Sequence, residues 1–337
     1  MLKNFGLTIF LMSLLLWVFS SCQGSSDPDE VVFMAGFKPQ ANLPFAAVYI
    51  AEEKGYFDEQ NIDIEILHSG GGGENIKSLL SNKVHVTTAD ANSVLKYSAS
   101  QTAPLVAIAL FGQTGQQAFV SLKKSGIDSP DDWPGKKFGY KISIPPDYLA
   151  IIDAQDLNRD SIDEIQVGFD PRILIEGKVD ILAVFKSNEP DTLRRMGHDV
   201  NVFEAAKYGV PTLGLTYVVT ETRFNNYTNQ NQRFLKATLK AVDFIKNNEE
   251  EALDIVMKYA DKEDKDHMRF MLNTEINDAI SSITNQNGIG WMEYDQWKAF
   301  HDSLRLYNAI DMDVNIKDAM KTDLLMEIYE NGELVWP

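Results

Sequence analysis

Residues 44–57 read PFAAVYIAEEKGYF, and this stretch, together with the segments on either side, decides the fold. Pro44 near its start and Gly55 near its end predict a helix between them, because proline suits the first turn of a helix and glycine suits its termination. Residues 31–37 form an apolar run typical of a strand, and in residues 62–66 isoleucines alternate with acidic residues, which is the period of a strand. The succession of strand, helix and strand predicts a parallel sheet covered by helices.

The alternation of strand and helix patterns continues beyond this stretch. Residues 75–80 and 149–157 have helical patterns. Further strands are predicted at residues 84–88, 105–111, 137–142, 165–169 and 179–185. Residues 79–86 and 174–181 are similar to each other, since each reads as a helix end, a turn and a buried strand. We interpret this similarity as two related α/β lobes.

The last third of the sequence is mainly helical. Apolar residues recur at helical spacing between residues 230 and 259. Similar patterns cover residues 268–283, 294–307 and 316–328. We expect these apolar stripes to face the core of the protein rather than a ligand or a partner.

The N-terminus has the pattern of a secretory signal peptide. Lys3 precedes a mainly apolar run that is too short to span a bilayer with ordinary flanks, and small residues follow it. Cys22 comes next and is the only cysteine, so it cannot form an internal disulfide bond. Residues 1–22 resemble a bacterial lipoprotein signal, which implies a lipid on Cys22 and a polar tether over residues 23–30. The alternative is an ordinary cleaved signal, or a signal anchor with a free thiol.

The overall composition excludes some classes of partner. The chain has 44% apolar and 24% charged residues, which is typical of a globular protein. The formal net charge of −18 argues against a nucleic acid partner, because phosphate binding needs clustered Lys and Arg side chains. About 315 residues remain after the signal peptide, enough for one large or two medium domains.

A series of motifs along nearly the whole mature chain resembles the substrate-binding proteins of ABC importers for thiamine-pyrimidine precursors, riboflavin and sulfonates. The helix that ends in EKGYF at residues 53–57 is followed by NIDIEI at residues 61–66, as in that family. The remaining motifs are SGGGG at 69–73, IDSPDDWPGKK at 127–137, NEP at 188–190 and GWM at 290–292. The resemblance depends on their shared order and on the lipoprotein signal that precedes them.

This resemblance implies a two-lobed periplasmic-binding-protein fold with two crossovers. Each lobe would hold a mostly parallel sheet flanked by helices, and the C-terminal part would be helical. Lobe one would comprise residues 31–114 and 216–337, and lobe two residues 115–215, with crossovers near residues 113–119 and 212–218. The lobes would close on a ligand and deliver it to a membrane permease driven by a separate ATPase. We expect a monomer.

Candidate binding residues in lobe one follow from the position of ligands in α/β sheets, beyond the carboxyl ends of the strands. Phe37 could stack on a flat ring, or belong to the core. Asn42 could hydrogen-bond the edge of that ring, or cap the helix that follows. Gly71 and Gly72 lie in a run of four glycines before a helix, where open backbone N–H groups could approach a bound group, although a plain turn also explains them.

The other candidates follow later strands. Asp90 and Asn92 come after the strand predicted at 84–88, and Asp90 could instead cap a helix. Across the expected cleft, Asn188 and Glu189 follow another strand, and Glu189 could accept a hydrogen bond from an amino group of a pyrimidine or lie in a solvated turn. The set is completed by Tyr140, Gln116 near a crossover, and Tyr208.

The expected ligand is a small, flat, nitrogen-containing metabolite, bound by a lipid-anchored protein of the bacterial cell envelope. Binders of pyrimidine precursors usually carry Trp and His in a first loop like WTPNTNH, whereas here Phe37 replaces the Trp and Leu43 stands at the His position. A thiamine-pyrimidine precursor is the first expectation and riboflavin the second. A sulfonate fits less well, since Lys38 is the only cation in that loop.

Two alternatives to this binding function concern catalysis and signalling. An enzyme of the same fold makes the thiamine pyrimidine, but this sequence lacks the histidine motif and cysteine-rich segment of that enzyme. The five histidines have no metal-ligand spacing, and there is no GxSxG motif and no nucleotide fingerprint. We therefore predict a binding protein without cofactor, metal or catalysis. A ligand-sensing lipoprotein of the same fold is the other alternative.

Overall fold

The computed structural model describes residues 27–99, 105–141 and 143–337. The predicted signal peptide, Cys22 and the first residues of the predicted tether lie outside these ranges, so lipid attachment remains a prediction. Within the described ranges, no helix is both long enough and apolar enough to cross a membrane.

Most of the described chain is built of strands and helices. The strands are β1 (Asp29–Ala35), β2 (Ile62–His68), β3 (Val86–Asp90), β4 (Leu105–Leu110), β5 (Gln117–Leu122), β6 (Lys137–Tyr140), β7 (Asp163–Gln166), β8 (Ile181–Phe185), β9 (Val200–Glu204), β10 (Leu215–Thr220), β11 (Tyr329–Glu330) and β12 (Glu333–Leu334). The helices are α1 (Leu43–Glu53), α2 (Tyr56–Glu59), α3 (Glu74–Leu80), α4 (Ala91–Ala99), α5 (Pro146–Ala154), α6 (Arg172–Ile175), α7 (Glu189–Arg195), α8 (Glu221–Asn226), α9 (Thr228–Asn247), α10 (Glu249–Tyr259), α11 (Lys265–Ala279), α12 (Ser282–Asn287), α13 (Tyr294–Leu306), α14 (Ile316–Ala319) and α15 (Asp323–Ile328). Short 3₁₀ helices cover Lys123–Ser125, Pro130–Asp132, Arg159–Ser161 and Ala205–Tyr208.

Strands β1 to β10 form two five-stranded sheets. The order of the first sheet is β2-β1-β3-β10-β4, and that of the second is β7-β6-β8-β5-β9. One strand in each sheet, β10 and β5 respectively, pairs antiparallel with both of its neighbours, and the other pairs are parallel. Four strands of each sheet therefore run in one direction, which confirms the prediction of mostly parallel sheets. The sequence patterns do not predict β5, β9 or β10.

The chain passes from the first sheet to the second between β4 and β5, and it returns between β9 and β10. The two passages touch, since the N–H of Gly214 donates to the carbonyl of Gly112 at 2.8 Å. A Cβ atom on Gly112 would lie 2.6 Å from the Cα atom of Gly214, so this close approach requires glycine. The passages support our proposal that lobe one comprises residues 31–114 and 216–337, and lobe two residues 115–215.

The predicted helical stripes of the C-terminal part lie in the core, as expected, but several of them are divided. The stripe from 230 to 259 is at most 2% exposed and consists of Phe234, Leu235, Leu239, Val242, Ile245, Leu253 and Val256. It belongs to two helices, α9 and α10, because Asn248 leaves the helical conformation with φ −140° and ψ 52°. The patterns at 268–283 and 316–328 are likewise each divided between two helices.

Candidate functional site

A cavity of about 350 Å³ lies between the two sheets. Its walls come from the carboxyl ends of β3, β6, β7 and β8, from the start of α5, and from the segments that connect the sheets. The residues whose chemistry matters most are Asp90, Asn92, Gln116, Lys141, Asp147, Phe169 and Phe185. The position agrees with the general location of ligands in α/β sheets, and the volume is within the range of small-molecule sites.

Two carboxyl groups line this cavity, one from the first sheet and one from the helix that follows β6 of the second sheet. Asp90 is the last residue of β3, and Asp147 lies in the first turn of α5. Asp90 is exposed and Asp147 is half-buried, but the surrounding protein still desolvates the Asp90 carboxyl group enough to raise its pKa. Burial, followed by the negative charge of Asp90, raises the pKa of Asp147 to about 6, against the opposing effect of its own backbone N–H. In residues 27–99, 105–141 and 143–337, neither side chain is in an ion pair, so their charges are not neutralised by the protein.

Two amide oxygens beside the carboxyl groups also lack a donor. Asn92 Oδ1 and Gln116 Oε1 are buried without a hydrogen-bond partner in the described part of the chain. The orientation of the Gln116 amide is fixed, because its Nε2 donates to Asp278 Oδ2 at 2.9 Å and the reverse orientation would bring two oxygens together. Four side chains with acceptor oxygens thus line the cavity, and the two amide oxygens among them are enclosed by the protein without a donor in the described residues.

One cation also lines the cavity, but an acid already pairs with it. Lys141 Nζ forms an ion pair with Glu189 and lies 5.6 Å and 5.2 Å from the ring centroids of Phe169 and Phe185. Glu189 Oε2 accepts the backbone N–H of Phe185 at 2.9 Å. Both oxygens of Glu189 are thus bound within the protein, and Glu189 positions Lys141 instead of offering a free acceptor. The rings of Phe169 and Phe185 are 67% and 47% exposed, which leaves aromatic surface for a ligand.

The loop after β1 forms a separate cluster that includes three of the predicted residues. Phe37 is 44% exposed and is not a core residue. Its ring covers Gly71, where a Cβ atom would lie 3.4 Å from the ring. Asn42 stands at the N-cap of α1 but makes no capping hydrogen bond; its side chain donates to Glu275 instead.

Glu275 occupies the N-terminus of α1. Its Oε2 accepts the N–H of Leu43 at 2.7 Å, and Ser187 Oγ lies 3.4 Å from Oε1 across the boundary between the sheets. The residue is 3% exposed, and burial raises its pKa to about 8 although the N–H of Leu43 and the side chain of Asn42 oppose this shift. A site that could attract an anionic ligand, the N-terminus of a helix, is thus filled by the protein's own carboxyl group.

A buried network joins the connecting segments. Lys186, with a side chain 5% exposed, lies 2.7 Å from Asp278 Oδ1 and 3.1 Å from Glu204 Oε2. Its Nζ also donates to Thr114 Oγ1 at 2.9 Å. Gln116 shares Asp278 with this network, so the network holds the Gln116 side chain at the cavity wall.

The remaining predicted residues lie outside the cavity lining. Asn188 Oδ1 is 3.0 Å from His267 Nε2, in a contact between α7 and α11. Tyr140 is half-buried and stacks on Phe138, with 6.3 Å between ring centroids. Gly72 has φ +64° with open space at its Cβ position, and Tyr208 ends a 3₁₀ helix. No group of His, Cys, Asp or Glu in the described residues is arranged to hold a metal ion.

Of the seven cavity residues named above, four were not predicted from the sequence: Lys141, Asp147, Phe169 and Phe185. All but Asp147 fell within predicted strands. The strand predicted at 137–142 ends at 140, and the strand predicted at 165–169 ends at 166, so Lys141 and Phe169 lie in the loops beyond. Asp147, after two prolines at a helix start, could have been found by the rule that gave Asp90.

Comparison with known proteins gives the following sequence matches. The family model described as NMT1/THI5 like matches residues 42–252. The formylaminopyrimidine-binding protein of Halalkalibacterium halodurans is 23% identical over 333 residues, which cover 95% of this chain and 99% of that protein. The riboflavin-binding protein RibY of Chloroflexus aurantiacus is 22% identical over 294 residues, which cover 84% of this chain and 83% of that protein.

Solved structures show the same architecture. A periplasmic sulfonate-binding protein, SsuA of Methylobacillus flagellatus, is 14% identical and has a TM-score of 0.66, covering 90% of this chain and 94% of that one. A desulfurization enzyme, DSZB, is 11% identical and has a TM-score of 0.58, covering 89% of this chain and 98% of that one. At these identities the likeness concerns the fold alone, and it confirms the predicted periplasmic-binding-protein fold.

Proposed function

The chain belongs to the NMT1/THI5-like family, and from this premise we propose that it is the lipid-anchored substrate-binding component of an ABC importer. It captures a small, flat nitrogen heterocycle by closure of two lobes and delivers it to a permease that is driven by a separate ATPase. We propose that it acts as a monomer at the cell envelope and is held there by a lipid on Cys22.

The observation that carries this proposal is the cavity between the sheets. It combines exposed aromatic faces, from Phe169 and Phe185, with side-chain acceptors that have no donor in the described protein. A flat heterocycle with amino substituents matches both features, since its faces can stack and its edge can donate hydrogen bonds.

We favour a substituted pyrimidine over riboflavin. The relative from Halalkalibacterium halodurans, which spans nearly all of this chain, is named for formylaminopyrimidine binding. A cavity of about 350 Å³ lies near the lower end of the range for small-molecule sites, which suits one ring better than the three fused rings of a flavin.

A sulfonate is disfavoured by charge. Lys141, the cation on the cavity wall, is paired with Glu189, and the N-terminus of α1 is filled by Glu275. An anion entering the cavity would also meet the two carboxyl groups of Asp90 and Asp147.

A thermal-shift measurement tests this proposal. The chain from Ser25 onward contains every described element, and it would be mixed with hydroxymethyl- and formylaminomethyl-substituted aminopyrimidines, riboflavin and taurine. A ligand at a hundred times its dissociation constant should stabilise the fold by about 2.7 kcal/mol. Phe185→Ala should reduce the shift and Phe37→Ala should leave it unchanged. A shift with taurine alone, or with no compound, would contradict the proposal, and a sensing role would be favoured if no permease gene lies beside this one.

A further inference from the structure

Building on the proposed function, we infer that the ligand carries a protonated amine and that the cavity holds this cation between Asp90 and Asp147. The two carboxylates would then select a cationic ligand over a neutral or anionic compound with the same ring. This inference names the substrate class of the proposed site and adds Asp147 to the residues that determine specificity.

The charge balance of the cavity favours a cationic ligand. The acids come from opposite lobes, one at the carboxyl end of β3 and one in the first turn of α5, so a ligand between the lobes lies between them. Lys141, the cation among the lining residues, is already paired with Glu189. In the described residues, the carboxyl groups of Asp90 and Asp147 have no ion-pair partner, which leaves the cavity negative.

Two amide oxygens without donors favour a donor-rich ligand independently of the acids. Gln116 is 8% exposed, and its Oε1 is buried with no donor in the described chain. Because Asp278 fixes its Nε2, this oxygen cannot be replaced by a donor through rotation of the amide. Asn92 Oδ1 is also buried without a donor among the described residues. A buried acceptor without a donor is unfavourable unless a ligand supplies one.

The donor inventory of a ligand decides which chemistry fits. An ammonium group has three N–H donors and no acceptor, and an amino group on the ring adds two more donors. Sulfonates and carboxylates supply acceptors only, and a hydroxymethyl group supplies one donor. A cationic amine therefore satisfies the acceptors and neutralises the acids at the same time, and it offsets the desolvation of both carboxylates.

Helix capping is the simpler explanation of the acids, since an acid in the first turn of a helix is favourable. Asp90 directly precedes α4, yet in the described residues its side chain makes no hydrogen bond to the backbone of that helix. Capping also leaves the buried oxygens of Asn92 and Gln116 unexplained. The cation accounts for all of these observations together.

The test compares three probes that share one ring. 4-Amino-2-methylpyrimidine would carry, at C5, an aminomethyl group, which is protonated at pH 7.5, or a neutral hydroxymethyl or formylaminomethyl group. Isothermal titration calorimetry on the chain from Ser25 onward should show binding of the aminomethyl compound about tenfold or more tightly than of either neutral compound. Asp147→Asn and Asp90→Asn should each abolish this preference.

Asp63→Asn is the matched control, because it removes the same charge from an exposed position on β2 and should keep the preference. Far-ultraviolet circular dichroism checks that the variants fold, and either of the two cavity variants suffices for the test. Equal binding of the three pyrimidines, or a preference that survives both substitutions, would overturn the inference and leave the proposed function intact. Binding of none of the pyrimidines and no riboflavin would overturn both.

Discussion

Two polar clusters lie at the boundary between the sheets, and they differ in how their charges and hydrogen bonds are paired. Around Lys186, one cation meets two carboxylates and a hydroxyl group, all within 3.1 Å. In the cavity, by contrast, Asp90 and Asp147 have no cation among the described residues, and the amide oxygens of Asn92 and Gln116 lack donors there. A polar cluster whose charges and hydrogen bonds are paired within the protein stabilises the fold. A cluster without such partners can form these interactions with a ligand.

This contrast makes opposite predictions for substitutions in the two clusters. Removing a member of the Lys186 cluster should destabilise the fold. Removing an acid of the cavity should stabilise the unliganded fold and weaken binding, as is common at sites that sacrifice stability for function.

Lys186→Met should have the largest effect. It leaves Asp278 without its cation and Glu204 with Lys207 alone, and breaking a buried pair such as Lys186–Asp278 lowers the free energy of unfolding by about 3–5 kcal/mol. Lys207→Met is a matched control, because Lys207 pairs with the same Glu204 but its side chain is 65% exposed. Loss of such an exposed pair changes stability by about 0–1 kcal/mol. Urea denaturation of both variants measures the difference, and equal effects would show that the Lys186 cluster is not a stabilising network.

The second prediction concerns Glu275. Its carboxyl group accepts hydrogen bonds, as in the Lys186 cluster, but in the described part of the chain it has no cation beside it, as in the cavity. It accepts hydrogen bonds from Leu43 and Asn42, yet burial raises its pKa from the ordinary 4.5 to about 8. The folded state therefore holds a proton that the unfolded state releases above pH 4.5, and stability falls as the pH rises from about 4.5 to about 8. The slope from this group is at most about 1.4 kcal/mol per pH unit.

Glu275→Gln should flatten this slope, because the amide does not titrate. Thermal denaturation at pH 5, 6.5 and 8 measures the slope, and Glu65→Gln, at an exposed position on β2, should leave it unchanged. A variant that loses stability equally at all three values would show that Glu275 is ionised throughout, held by the N-terminus of α1.

Local sequence patterns predicted many of the helices and strands, but they did not predict which charged side chains pair with each other. The helix that begins after Asn42 and the direction of most strands followed from turn residues and periodicity. The reversed strands β5 and β10 did not, because their direction is set by pairing with strands distant in the sequence. The Lys186–Asp278 pair joins residues 92 positions apart, and no spacing rule connects them.

The candidate site was partly predicted, because some of its residues follow directly from local sequence patterns. Asp90, Asn92 and Gln116 follow a strand end or a crossover, and all three line the cavity. Phe37 and Asn42 satisfy the same rule yet contact Gly71 and Glu275, since tertiary packing decides which strand ends face the cavity. The strands predicted at 137–142 and 165–169 extend two or three residues too far. Lys141 and Phe169, which lie in loops of the second lobe, are therefore predicted as strand residues.

Asp147→Asn has the smallest predicted effect on stability, and it tests most directly whether the cavity differs from the Lys186 cluster. Asp147→Asn removes a carboxylate whose pKa is raised to about 6, chiefly by burial and then by Asp90. Since the folded pKa exceeds the unfolded one, the ionised group opposes folding above pH 6, and the variant should gain about 1 kcal/mol of unfolding free energy at pH 7.5. At pH 4, close to the unfolded pKa of 3.8, the folded carboxyl group is protonated and most of the gain should disappear.

Urea denaturation of unliganded protein at both pH values measures this gain, with Asp63→Asn as the exposed control. If Asp147→Asn were less stable than the parent at pH 7.5, the first turn of α5 would be compensating the carboxylate, and the cavity would be a satisfied cluster like that of Lys186. A gain at pH 7.5 alone would mean that the protein tolerates an unfavourable charge in the unliganded state. Such a charge is consistent with a site that is completed by its ligand.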